Sequence, residues 1–309
     1  RYVAPLVDTP QTITIVNSET IAQQNLLNLR EVLATLPGIT FGAGEGGGGY
    51  GDKINLRGFT ADSDITVDGV RDSAQYSRTD PFNISQVEVV SGANSVYSGA
   101  GSVGGTINIA TKRPSAADET VVSVGGGTDS YGRLTVDANH MFGDNVAGRI
   151  NLMAHNSDVA GRDVETFQRW GVAPALTFGQ GTPTEVTLLY THQEDDNIPQ
   201  YGVPYALNAF NDGPIVGVDP SSYFGYRNID RQEITYDSAS AIIEHEFSQN
   251  LRVRNLTRWE QVSQLSIVDP PQGTICDANG VNPFTGAACA PAGTYQPSGP
   301  RGNVRDTDN

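Results

Sequence analysis

Asn-Leu-Arg-Glu-Val-Leu-Ala-Thr-Leu-Pro-Gly-Ile (28–39) opens an ordered series of short signals in this chain of 309 residues. Asn-Leu-Arg-Gly-Phe (55–59) follows, then Val-Asp-Gly-Val-Arg-Asp (67–72), Gln-Val-Glu-Val-Val-Ser-Gly (86–92) and Gly-Gly-Thr-Ile-Asn-Ile-Ala-Thr-Lys-Arg-Pro (104–114). Each reads as a short strand or helix closed by a Gly or Pro stop. In the first, Asn28 can cap a helix, with Glu31 three residues on to complete a capping box. Leu29, Val32, Leu33 and Leu36 fall at i, i+3, i+4 and i+7 and give that helix one buried face. Pro37-Gly38 ends it, and Asp68-Gly69 is a turn signal between short strands. Residues 1–115 are therefore expected to form one mixed α/β unit.

After Pro114 the pattern changes. Strands are expected at 119–127, 130–142, 145–156, 165–178, 183–195, 232–248 and 250–266. Apolar and polar residues alternate within them, as in Leu134, Val136, Ala138 and in Ile150, Leu152, Ala154. Such strands are long for a soluble sheet and suit a tilted membrane strand. The connections also alternate: 143–145, 179–182 and 248–250 are short, whereas 157–164, 196–231 and 267 onward are long. That asymmetry is a feature of outer-membrane barrels. The expected architecture is a mixed α/β plug domain (1–115) followed by antiparallel transmembrane β-barrel strands (116–309). Seven strands do not close a bacterial barrel, which uses an even number. The sequence is therefore expected to be a piece of a longer chain, ending inside a loop.

Composition agrees with a β-rich chain of many turns. Gly numbers 35, hydrophobic residues make up 38% and the mean hydropathy is −0.31. The net charge of −16 and pI near 4.5 remove the main attraction for nucleic acid, so no such partner is expected. Arg1 is not preceded by a basic-then-apolar leader, so a signal peptide is expected to have been removed or omitted. Cys276 and Cys289 flank a segment rich in Asn, Gly, Pro and Ala. A disulfide there would stabilise the loop by roughly 3 kcal/mol in an oxidising compartment; the alternative is two unpaired thiols. Cys-x12-Cys without a nearby His is a poor zinc pattern.

The segments quoted above, in their order and spacing, resemble the plug of TonB-dependent outer-membrane receptors. The loop Gln75-Tyr76-Ser77-Arg78-Thr79-Asp80-Pro81-Phe82 and the glycine-rich stretch 42–51 are similar to the catecholate-type siderophore branch. The resemblance implies a receptor that binds a ferric siderophore outside the cell and imports it with force from the TonB energy-transducing complex. It also implies an outer-membrane location among lipid, a monomer, no cofactor and no enzymatic activity. Barrels of this kind have about 22 strands around a plugged lumen. Two departures stand out. Ser91-Gly92-Ala93 occupies the place of the family's basic residue before Gly-Pro, and Val96 to Ala100 differs from the usual aromatic-Gly-basic run. The resemblance further implies that Arg57 locks the plug to glutamates of the barrel. The remaining alternatives are the same architecture with another cargo, such as a cobalamin, a sugar or a nickel chelate, and a soluble β-rich binding or adhesion protein.

Ligand contacts are expected from Arg78, which can pair with and stack on an anionic aromatic chelate, with Tyr76 giving a π-face and Gln75 a hydrogen bond. Glu45, Tyr50 and Asp52 accompany the glycine-rich loop, and Tyr201 and Tyr205 an aromatic outer loop. Gly42 to Gly47 satisfies G-x-G-x-x-G, but no helix opens after it, so no nucleotide site follows. Asp62, Asp64 and Asp68 do not fit a calcium loop. His140, His155, His192 and His245 are scattered along strands, and no metal site or catalytic constellation is expected.

Overall fold

A computed structural model describes residues 11–42, 51–62, 64–72, 74, 76–92, 103–200, 202–269, 274–296 and 299–308. The first unit begins with β1 (Thr12–Asn17), α1 (Ser18–Gln23) and α2 (Leu29–Ala34). Asn28 caps α2 by accepting the Glu31 N–H at 2.8 Å, while Glu31 accepts the Leu27 N–H at 2.6 Å. The return bond of the expected box thus goes to the residue before the cap. Asn17 caps α1 in the same way, through the Thr20 N–H at 2.8 Å. Then come β2 (Ile39–Phe41), β3 (Ile54–Leu56), β4 (Phe59–Thr60), β5 (Ile65–Val67), β6 (Val70–Arg71), β7 (Ile84–Ser91) and β8 (Gly105–Thr111). The central sheet runs β1-β7-β8-β5-β6, with β5 and β8 parallel. Leu29, Val32, Leu33, Ile54, Ile65, Val87 and Ile107 are buried together as its core.

The quoted motifs interlock here. Asn108 Oδ1 accepts from Thr66 Oγ1 at 2.8 Å and from the Gly69 N–H at 2.9 Å. Asp68 accepts from Thr111 Oγ1 at 2.6 Å and pairs with Arg113 at 3.2 Å. Asp68 is therefore a buried clasp as well as a turn residue. A Cβ at Gly104 would lie 2.3 Å from the Leu56 carbonyl oxygen, and one at Gly105 2.1 Å from that of Val90. Only glycines let these backbones pass.

The second unit is an antiparallel sheet of β9 (Glu119–Gly126), β10 (Gly132–Gly143), β11 (Val146–Asp158), β12 (Thr166–Phe178), β13 (Thr184–Asn197), β16 (Arg231–Ser248), β17 (Leu251–Val268) and β20 (Arg301–Asp308). Two hairpins, β14 (Tyr205–Leu207) with β15 (Asp212–Pro214) and β18 (Thr274–Cys276) with β19 (Thr294–Gln296), sit in the long loops. The seven expected strands are present, and β20 is an eighth among the described residues. The expectation that the chain ends inside a loop is therefore corrected. Arg-Gly-Asn-Val-Arg-Asp-Thr-Asp holds one apolar residue, so its place comes from the backbone of β17, Gln261 to Val268, rather than from its own pattern.

This wall is apolar outside and polar inside. Gly148, Leu176, Leu188 and Ala241 are successive cross-strand partners on the outer face, where Leu176 and Leu188 are exposed. Asn139, Asn151, Arg169, Thr187, Gln193 and Asp195 are buried on the inner face. A soluble sheet would reverse that arrangement; a barrel wall in lipid requires it. The first unit packs on the polar face: Phe82 meets Met153 and Ala173, and Asn83 Nδ2 donates to Thr191 Oγ1 at 2.9 Å.

Candidate functional site

Residues 76–82, which lead into β7, lie between the plug and the wall. Tyr76 is buried with Ala74, Ile234 and Val262 and stacks on Tyr236 of β16, the ring centroids 5.5 Å apart. The Arg78 guanidinium lies over the Tyr76 ring at 4.5 Å. On the wall side Arg258 donates to the Tyr236 hydroxyl at 2.8 Å and pairs with Glu260. The expected free π-face of Tyr76 is thus already occupied, from within the protein.

Arg78 is not a free cation either. It pairs with Asp52 at 3.0 Å and Asp72 at 2.7 Å, and its N–H donates to Asp52 Oδ2 at 3.1 Å. The two carboxylates respond differently. Burial pushes the Asp52 carboxyl above its usual range despite Arg78. At Asp72 burial acts in the same sense, but the charge and hydrogen bond of Arg78, with help from Arg258, outweigh it and hold the carboxyl low. Two acids sharing one base are driven apart in this way.

The next residues anchor to the wall. Asp80 receives Arg133 through two bonds of 2.8 Å and lies 3.5 Å from Arg169. Arg169 also donates to the carbonyls of Leu27, at 2.9 Å, and Thr79, and lies 3.6 Å from Asp195. Thr79 Oγ1 donates to Asp195 at 2.7 Å and accepts from Gln193. Lower down, Lys112 and Arg149 both pair with Asp137, at 2.9 and 2.6 Å. The upper anchor therefore has the opposite polarity to the one expected: the acid comes from the plug and the bases from the wall. Arg57 occupies an exposed turn at φ 52° after β3, its N–H donating to the Gly38 carbonyl at 2.8 Å. No carboxylate pairs with it among the described residues, which hold only part of a barrel wall.

A cavity of about 920 Å³ opens beside this network, between the plug and β11–β13. Ser157, Asn197, Pro199 and Gln200 line it, which places it at the end of the wall that carries the long loops. Asp52 and Arg78 line it, and Tyr76 does not. Tyr205 is exposed on the β14–β15 hairpin and does not line it. Gln75, Glu45, Tyr50 and Tyr201 lie outside the described residues.

The long loops after β13 and β17 are fastened to one another. Cys276 and Cys289 are disulfide-bonded. The Ala278 N–H donates to the Val216 carbonyl at 3.2 Å, and Asn208 Nδ2 to that of Pro283 at 3.0 Å. Phe224 meets Tyr295 edge-on at 5.4 Å.

The sequence reading missed Arg30, Phe41, Arg133 and Arg169. The available signal was parity. Arg133 and Arg169 occupy inward positions of alternating strands, where a lipid-facing wall turns its charges toward the plug.

Comparison with known proteins agrees with this arrangement. Residues 5–106 match the family model of the TonB-dependent Receptor Plug Domain. The chain is 36% identical over 262 residues to the "Probable TonB-dependent siderophore receptor PiuA" of Acinetobacter baumannii, covering 84% of this chain and 35% of the relative. It is 34% identical over 275 residues to the "Catecholate siderophore receptor Fiu" of Escherichia coli strain K12, covering 85% and 36%. The crystal structure of that import receptor in its closed form superposes with a TM-score of 0.84 at 31% identity, covering 98% of this chain and 43% of the solved one. The chain spans about a third of the length of these curated relatives.

Proposed function

This chain carries the plug domain and barrel strands of a TonB-dependent receptor, and from that premise we propose that it serves an outer-membrane receptor that binds a ferric siderophore and imports it through a plug-gated, TonB-coupled route. Residues 1–115 act as the stopper and 116–309 as part of the wall. The protein works as a monomer in lipid, by binding and translocation rather than catalysis. The observation that carries this reading is the cavity bounded jointly by plug and wall at the long-loop end. A chelate held there touches both parts at once, so its occupancy can bias how they meet. The catecholate relative supports an anionic, ring-bearing cargo. In this reading Arg78 and Asp52 line the cavity, and Tyr76, Gln75, Glu45, Tyr50, Tyr201 and Tyr205 are further candidate contacts for the chelate.

The test is radiolabelled iron uptake by cells carrying the full-length receptor, with a panel of ferric catecholates, hydroxamates and cobalamin. Uptake of a catecholate that stops when TonB is deleted is expected. Transport of cobalamin alone, or uptake indifferent to TonB, would overturn it.

A further inference from the structure

Four cations and three carboxylates line the outer cavity, an inversion of the balance in a chain of net charge −16. Three of the cations already have acids. Arg78 holds Asp52 and Asp72, Arg169 holds Asp80 and Asp195, and Lys53 holds Asp62 at 2.5 Å. Arg30, the second residue of α2, has no carboxylate within pairing distance among the described residues. Its neighbour Glu31 is occupied, one oxygen by the Leu27 N–H and the other by Asn28 Nδ2 at 2.8 Å. Arg30 is exposed yet held: the guanidinium lies 4.7 Å over the Phe41 ring, and Nη1 donates to the Gly42 carbonyl at 3.2 Å. An arginine fixed on an aromatic face keeps its remaining N–H donors aimed outward and gives up little rotamer freedom when an anion arrives.

We propose that Arg30, braced on Phe41, is the anion-recognising subsite of this cavity and takes the charged oxygens of a ferric catecholate. The inference rests on the siderophore reading above. It assigns to Arg30 the pairing role that the sequence suggested for Arg78, whose charge is spent inside the protein. Arg78 is then a positioning residue that sets the cavity floor.

The full-length receptor in detergent tests this with two probes: a ferric tris-catecholate bearing three negative charges and a neutral ferric trihydroxamate. Binding is read by tryptophan quenching at low and high salt. R30A is expected to weaken the catecholate about tenfold and flatten its salt dependence, while affinity for any neutral chelate that binds changes less than about twofold. R30K keeps the charge but loses the planar fork and should fall between. Equal binding of the catecholate by wild type and R30A, or an equal loss for both probes, would overturn the inference and leave the siderophore reading standing. A wild-type receptor that binds no ferric catecholate would overturn both.

Discussion

Asp80 has no exposed side-chain surface, and Arg133 meets both of its oxygens. A buried acid between two bases is costly to remove, because its partners stay behind without their counter-charge. Asp80→Ala is expected to destabilise the docked plug by about 3–5 kcal/mol, and Asp80→Asn by less, in thermal unfolding of the full receptor. A loss no larger than that of an exposed pair such as Arg231–Glu233 would show that the anchor carries little load. Asp52 and Asp72 make a second comparison. Asp72 is held low, so its contribution is complete above the ordinary carboxylate value of 3.8 and disappears as pH falls through its depressed folded value. Asp52 is held high, so its contribution has the opposite sign: it is present below 3.8 and lost as pH rises through its raised value. At pH 7 Asp72→Asn should therefore cost more stability than Asp52→Asn. The gap should close below pH 3.8, and a reversed order at pH 7 would refute the assignment. At this scale the sequence was only partly legible. Arg78 stood out by type and neighbourhood, but pairing with Asp52 depends on where a separate loop returns.

The elements were more legible, because a strand's alternation is set by the solvent on its two faces. The outward positions of β11, β12 and β13 carry exposed apolar rows, and those rows are visible in the sequence. Leu188→Arg, near the middle of that outer face, is expected to cost about 2–4 kcal/mol in a lipid or detergent refolding equilibrium. The inward Thr187→Arg, on the adjacent residue, would instead break its buried hydroxyl pair with Thr177. A near-zero effect for Leu188→Arg would mean that this face is not in hydrocarbon. β20 was illegible for the same reason that the others were clear: with four charges and one apolar residue, it shows no alternation to read. The clasp between Thr66–Gly69 and Asn108–Thr111 was readable as two motifs but not as one joint, since its bonds span 42 and 43 residues of sequence.

Across the whole molecule, fold class followed from the change in pattern at Pro114, a local property of the chain. The polarity of the plug-to-wall anchor did not. It depends on which strand positions face inward at the height of Asp80, and that emerges only once strand register is fixed. The sheet order of the plug adds a mechanical point. Among the described residues β1 lies at an open edge and is zipped to β7 alone, through six residue pairs from Thr12–Ser91 to Asn17–Gln86. A tether reeled in from ahead of Thr12 would strain those rungs first among the described strand pairs. β7 stands next in the load path and runs back through Pro81 to the riveted Asp80. The edge ribbon would tear away first, leaving the bolt at the rim fastened until the tension had travelled the length of the neighbouring strand.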